Sequence, residues 1–398
     1  MFGWEFPPHS RGGLGTACYG LTKGLSHHGI DITFVLPKGY SKHQHVELIT
    51  TEDLYIGNKK IKMKYIDSLL LPYINEYEYE LSLKGLFSKG SSKGDIYGKN
   101  LFEEVYRFAD KSKIIAMFEN FDIIHCHDWM TFKAGIKAKE VSGKPLIVHV
   151  HATDFDRTGG HPNQTVYNIE REGMQKADKI IAVSNLTKNM IVKHYGINPD
   201  KIIVVHNAVE HSKTEFKDSK IKFGDKVVLF LGRLTIQKGP DYFIEAAHRV
   251  LQIMPNVKFV VAGSGDMYKR MVDRAAELGM SKNVLFTGHL TGPEIDKAYQ
   301  MADLYVMPSI SEPFGITPLE ALKNNTPVLI SKQSGVSEVL NNVLKVDFWD
   351  IDDMTNKIIG VLNYPKLHES LAQEGHSEMQ KMSWDDAAAK CIKVYNSV

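Results

Sequence analysis

The sequence predicts an α/β chain built from two doubly wound parallel sheets. Three observations predict it. Short, β-branched, continuously apolar runs recur, as in Val227–Leu231 and Leu304–Met307. Strands apolar at every position are covered on both faces, the mark of a parallel sheet. Helical stretches such as Phe243–Leu251 and Tyr268–Leu278 separate most of these runs, at the spacing of strand–helix–strand crossovers. At 398 residues the chain is long for one core and comfortable for two.

Taken in order, "MFGWEF" reads as the end of a strand. A buried first strand normally carries more apolar residues in front, which points to a short upstream piece or a misassigned start. Ile32–Leu36, Phe121–Cys126, Leu146–Val150, Lys179–Val183 and Ile202–Val205 complete a first series of strands. Residues 41–115 are the least regular. "LFSKGSSKGDIYGKN" has the Gly/Ser/Lys content of a mobile loop, and "KKIKMKYIDS" alternates like an antiparallel hairpin strand. The first series ends at "VVHNAVE". The polar, aperiodic "HSKTEFKDSKIKFGDK" then carries the domain boundary, near residues 207–220. A second series follows: Val227–Leu231, Val257–Ala262, Val284–Phe286, Leu304–Met307 and Val328–Ile330. The last segment, "SWDDAAAKCIKVYNSV", is an amphipathic helix with Ala388, Ile392 and Tyr395 on one face and Ser383 as N-cap. The expected division is 1–210, 211–378 and a terminal helix in 379–398.

Composition narrows the function. With 48 Lys+Arg against 47 Asp+Glu, neither a nucleic-acid nor a membrane surface is the expected main partner. Cys18, Cys126 and Cys391 are scattered and form no CxxC pair, so they read as reduced thiols of a cytoplasmic protein. No apolar run approaches the ~20 residues of a membrane span, and there is no signal peptide. Asn163-Gln164-Thr165 matches a glycosylation acceptor but reads as chance in an unsecreted chain.

In doubly wound sheets ligands sit outside the carboxyl ends of the strands, and the chemistry-bearing residues cluster there. Gly12, Gly13 and Leu14 lead into a helix, where backbone N–H groups face a phosphate; a tight turn explains them equally well. Arg233 and Lys238, five apart in "GRLTIQKG", place two cations before a helix N-terminus, as a pyrophosphate clamp requires. The bland reading is a solvated basic turn. In "PSISEPFGITPLEAL", Glu312 stands in a loop after a strand, Gly315 opens a helix, and Glu320 lies within it. Pro318 falls in the first turn, where its missing N–H costs nothing. The first carboxylate faces a ligand above the sheet and the second reaches a group beside it. The bland reading is that Glu312 caps the helix. The pairs His125/His127 and His149/His151 straddle strand ends, but no acidic or cysteine ligand set is expected around them, so no metal site is expected. Asp154-Phe155-Asp156 has the DxD form that elsewhere holds a metal and a diphosphate, but following a strand in a chain with a cationic clamp it is read as chance or local turn chemistry.

Together these residues resemble the retaining glycosyltransferases of the GT-B fold, in the large family 4, or glycosyl transferases group 1. The E-x7-E signature is matched by Glu312 and Glu320, and its basic pair by Arg233 and Lys238. "VAGSGD", "VLFTGHL" and "SGVSEVL" also look like this family, so the likeness spans nearly the whole C-terminal half. In the N-terminal half, "WEFPPHSRGGLG" and "IIHCHDWMT" are similar to glycogen and starch synthases. Those synthases carry Lys-x-Gly-Gly-Leu, where this chain has Ser10 followed by Arg11. They usually lack the second glutamate, which is present here.

The resemblance implies two Rossmann-like domains facing each other across a cleft, the first on the acceptor side, the second binding the donor. The final helix then crosses back to the first domain. It implies transfer of a hexose from a nucleoside diphosphate sugar, UDP or ADP, to a carbohydrate acceptor, with retention. A glycogen-synthase-like reading makes the sugar glucose and the acceptor an α-1,4-glucan. Arg233 and Lys238 would neutralise the leaving diphosphate, helped by N–H groups at Gly12–Leu14 and near Phe314, Gly315 and Ile316. Glu312 would orient the donor sugar and Glu320 the ribose. His151 would lie beside the sugar, Gly263 and His289 in the donor site, and Asp128 and Trp129 on the acceptor side. No cofactor or metal ion is expected. The alternatives are a family 4 transferase with another acceptor, a non-catalytic nucleotide-sugar-binding protein, and a nucleotide-sugar epimerase of the same fold.

Overall fold

The computed structural model describes residues 1–7, 12–38, 49–56, 59–67, 99–211 and 225–398. Ser10, Arg11, the Gly/Ser/Lys-rich stretch at 86–98 and the part of the expected boundary from 212 to 220 lie outside them.

In the N-terminal half, residues 1–3 occupy a central strand position. Phe2 forms parallel bridges with Val35 of β1 (Thr33–Lys38) and with Cys126 of β4 (Ile124–His127). The Phe2 N–H donates to the His125 carbonyl at 2.8 Å and the Gly3 N–H to the Val35 carbonyl at 3.1 Å. This short segment joins two blocks. On one side lie β1, β3 (Lys59–Asp67) and β2 (Ile49–Ile56), in the order β1-β3-β2. On the other lie β4, β5 (Leu146–Val150), β6 (Lys179–Ala182) and β7 (Ile202–Val204), in that order. Among the described residues of this half only β2 is antiparallel, paired with β3, so the alternating "KKIKMKYIDS" run does form one hairpin strand. Among the described residues, the helices of this half are α1 (Gly13–His27), α2 (Lys99–Phe118), α3 (Trp129–Ser142), α4 (Asp154–Arg157), α5 (Gln164–Lys176) and α6 (Asn185–Tyr195).

The C-terminal half holds a six-stranded parallel sheet of β8 (Val227–Leu231), β9 (Lys258–Ala262), β10 (Val284–Gly288), β11 (Leu304–Met307), β12 (Val328–Ser331) and β13 (Leu344–Val346). Their spatial order is β10-β9-β8-β11-β12-β13, the doubly wound order that reverses between β8 and β11. The N-terminal sheet reverses in the same way between residues 1–3 and β4. Strand β13 had no clear sequence signal: it is three residues long, with Lys345 at its centre. Helices α7 (Pro240–Ile253), α8 (Tyr268–Glu277), α9 (Pro293–Met301), α10 (Thr317–Lys323), α11 (Ile351–Asn363) and α12 (Pro365–Met379) pack around this sheet.

The last helix, α13 (Trp384–Tyr395), belongs to the N-terminal core, where Trp384, Ala387, Ala388, Cys391 and Val394 are buried. Ser383 caps it by accepting from the Asp386 N–H at 3.1 Å. The buried stripe is rotated from the expected one. Ala388 is central, but Ile392 lies half-buried on the flank, and Cys391 and Val394 take the core positions. The rotation follows from α1, which presents Gly20 and Gly24 one turn apart. A Cβ on Gly20 would overlap the Trp384 indole, and one on Gly24 the Trp384 carbonyl. The two backbones approach so closely that the facing residues are set by Trp384.

Candidate active site

The cationic turn and the E-x7-E segment follow β8 and β11, the two strands that flank the C-terminal switch point. Lys238 ends a short 3-10 turn (Ile236–Lys238) after β8, and Arg233 is exposed in the loop that joins β8 to that turn. Lys238 Nζ lies 2.5 Å from Glu312 Oε2, and Ser309 Oγ donates to the same oxygen at 3.2 Å. Glu312 is 6% exposed, so this pair is largely shielded from water. Helix α10 has no side-chain cap. Glu312 therefore does not cap it, and the bland reading of this residue fails. Gly315 takes φ +98°, a left-handed turn that suits glycine, and Pro318 lies in the first turn of α10. Below the pair, a small cavity is lined by Gly232, Lys238, Tyr305, Ser309 and Thr317.

Glu320 sits inside α10 and turns towards α9. It accepts a hydrogen bond from the Tyr299 hydroxyl at 3.2 Å. Burial pushes its carboxyl above the usual range; the Tyr299 hydrogen bond opposes that, and Asp296 adds to it. Gly263 ends its turn after β9 by donating to the Gly288 carbonyl at 2.8 Å, and exposed His289 follows β10. Phe314 is a core residue at 2% exposure, so only its backbone is open to a ligand role. Its carbonyl accepts from the Val336 N–H at 2.7 Å. Ile316 is half-buried and packs against the cores of both halves.

Across the cleft, His151 stands at the end of β5, half-buried. Burial holds its imidazole down at about 3, so it is neutral. Gly12 and Gly13 open α1, but buried Glu5 reaches this helix start and accepts from the Gly15 N–H at 3.1 Å. A protein carboxylate thus takes part of the anion-binding capacity expected there.

Two expected acceptor-side residues are differently placed. Trp129 is 1% exposed and packs edge-on against Trp4, with ring centroids 6.2 Å apart, so it is a core residue and lines no cleft. Asp128 is also 1% exposed, with φ at +61°. Its carboxylate accepts from the His151 N–H at 2.6 Å and the Ala152 N–H at 3.3 Å, and pairs with Arg157 at 3.0 Å. Burial pushes it up to about 6 against the pull of Arg157. Asp128 therefore fixes the loop that carries His151. Both residues begin α3, where the chain turns inward behind the strand.

Sequence spacing also misjudged the histidines. Because β4 and β5 are neighbours, the two pairs form one cluster on a shared face, which no reading of one strand at a time reveals. His125 Nε2 lies 3.3 Å from His149 Nδ1, and His127 Nδ1 lies 3.0 Å from His151 Nε2. Cys18 approaches from α1, correcting the expectation that no cysteine surrounds them.

The two halves meet beside Glu312 through two serines whose role no motif flagged, one of them bonded to Asp156. Ser311 Oγ donates to Asp156 Oδ1 at 2.5 Å, and Ser184 Oγ to the Pro313 carbonyl at 2.5 Å. Asp156 also closes a capping box with Thr153, so the "DFD" element does serve local turn chemistry. Further out, Glu338 accepts from the N–H groups of Asn185 at 2.9 Å and Leu186 at 2.7 Å, and lies 3.1 Å from His206 Nε2.

Comparison with known proteins agrees with this architecture. Residues 91–213 match the family described as Glycosyltransferase Family 4, and residues 211–378 the one described as Glycosyl transferases group 1. An uncharacterised glycosyltransferase of Methanocaldococcus jannaschii is 28% identical over 99% of this chain and 97% of its own length. A glycogen synthase of Mycobacterium tuberculosis is 26% identical over 69% of this chain and 68% of its own. Among solved structures, sucrose-phosphate synthase from Thermosynechococcus elongatus superposes with a TM-score of 0.77 at 17% identity, covering 100% of this chain and 97% of that one. With the two family signatures in tandem on paired doubly wound sheets, the chain belongs to the group 1 glycosyltransferases of the GT-B fold.

Proposed function

We propose that this enzyme is a retaining hexosyltransferase that moves glucose from a nucleoside diphosphate sugar to a carbohydrate acceptor of the α-1,4-glucan type. The observation that carries the donor half of this reading is the Lys238–Glu312 pair at the C-terminal switch point. A pyrophosphate entering there exchanges one anion for another on Lys238. Glu312, released from its partner, is then free to accept hydrogen bonds from the donor-sugar hydroxyls. Arg233 adds a second cation in the loop that leads into the same turn. Negative charge that grows on the departing diphosphate is met by these two cations and by backbone N–H groups near Gly315. On the other flank the sugar acquires oxocarbenium character. Neutral His151 faces it as a hydrogen-bonding group and not as a competing cation. Glu320, oriented by Tyr299, takes the ribose hydroxyls. Attack by the acceptor comes from the face of the leaving phosphate, which takes the acceptor's proton. The clamp supplies the charge that a divalent ion would otherwise bring, so the reaction is metal-independent.

The acceptor class rests on similarity to the glycogen synthase and on the N-terminal motifs. The cytoplasmic setting rests on three buried free cysteines. Among the described residues no helix is long and apolar enough to cross a membrane. Thermal-shift screening of UDP- and ADP-hexoses, followed by nucleoside diphosphate release with and without glucan, tests the reading. Donor binding without acceptor-dependent release would leave a binding protein instead.

A further inference from the structure

Beneath the cleft floor, the histidine cluster of β4 and β5 is not used up by the proposed reaction. Among the described residues, His127 Nε2, His149 Nε2 and His151 Nδ1 are buried without a hydrogen-bond partner. Leaving such groups unpaired costs about 1–3 kcal/mol each, so a core built only for packing would not gather three. Cys18 of α1 is 0% exposed and adds a sulfur to the same space. Ligand-capable atoms of Cys18, His127 and His151 all lie within 4.8 Å of one another.

Two features of this trio favour a cation. It brings two imidazole nitrogens and one sulfur together inside 4.8 Å, a donor set that suits a zinc-class ion. Its sulfur can become anionic on binding and offset part of a divalent charge. The neighbouring trio of His125, His127 and His149 lacks both the sulfur and an exit, since all three are buried, whereas half-buried His151 opens to the cleft.

We propose that Cys18, His127 and His151 bind a zinc-class divalent ion entering from the cleft. Zn–N and Zn–S bonds of about 2.1 and 2.3 Å require donor atoms roughly 3.4–3.6 Å apart, which small side-chain shifts bring about in a trio already inside 4.8 Å. One Zn–S and two Zn–N bonds form, the thiol proton leaves to solvent, and the His127–His151 hydrogen bond is broken. The fourth position faces the cleft and takes water. Because the ion claims His151, zinc inhibits transfer. This consequence rests on the role given to His151 above, whereas the site itself does not.

The experiment uses the full-length enzyme, stripped with EDTA and dialysed. Titration with Co²⁺ should yield one ion per chain, with four-coordinate visible bands and a thiolate-to-cobalt charge-transfer band in the near ultraviolet. Added Zn²⁺ should bleach both. Cys18→Ala, a small apolar replacement outside the catalytic machinery, should lose the charge-transfer band and the zinc sensitivity of turnover. Absence of stoichiometric cobalt binding overturns the site. So do visible bands without the thiolate band, or a thiolate band that survives in Cys18→Ala. A thiolate band in a wild-type enzyme whose turnover ignores Zn²⁺ keeps the site and overturns the role of His151.

Discussion

Lys238 and Glu312 neutralise each other at the C-terminal switch point, so each substitution exposes the other partner. Lys238→Ala should cut kcat by roughly 10²–10³-fold, the scale of one preorganised electrostatic contact. It also leaves a nearly buried carboxylate without its cation. Steady-state kinetics beside a melting curve checks both, and full turnover in that variant would remove the clamp from the mechanism. The two glutamates should separate. Glu312→Gln should act on kcat, and Glu320→Gln on affinity for free UDP or ADP, read by calorimetry. Tyr299→Phe should reproduce part of the Glu320 effect, because the hydroxyl holds that carboxylate at 3.2 Å. The eight-residue spacing of the glutamates was legible because a loop and a helix are local objects. Tyr299 was not, since it reaches Glu320 from another helix, and Cys18 met the histidines only through the docking of α1.

At the scale of elements, buried parallel strands announced themselves because an apolar face on both sides leaves no polar alternation to decode. The strand that escaped is short and interrupted, β13 with its central lysine, whereas residues 1–3 were legible as the end of a strand and hold that position with three residues. The terminal helix was legible as amphipathic, but its phase was not, because the partner that sets it is a pair of glycines on α1. Gly24→Val should therefore destabilise the protein by about 1–3 kcal/mol, as overpacking does, since the added carbons meet the backbone of Trp384. A melting temperature equal to wild type would mean that α1 and α13 are not in contact in solution. Removing residues 384–398 should do more, stripping Trp384, Ala388 and Cys391 from the N-terminal core and raising the binding of a hydrophobic dye.

For the whole molecule, the contact between halves depends on Glu338. Burial opposes its ionisation, but the Asn185 N–H, His206 and the Leu186 N–H outweigh it and hold the carboxyl below its usual range. A depressed carboxyl contributes its stabilisation fully above the unfolded value, about 4.5, and loses it as pH falls through the folded one. Near neutrality, Glu338→Gln should loosen the two halves. As pH falls through that depressed folded value, wild type and variant should converge. Small-angle scattering and melting curves across that range would show it, and a constant difference down to acid pH would assign the clasp to other groups. The return of α13 has a consequence for biogenesis. The N-terminal sheet begins with residues 1–3 but finds its last packing partner only at Trp384. The C-terminal half is thus spliced into the first domain as a long insertion between β7 and α13. On the ribosome, the first domain waits with the α1 glycine groove uncovered while some 170 residues of the second are made and folded. A chain stalled before Trp384 should then present a finished second domain and an unfinished first, a state open to chaperones and proteases.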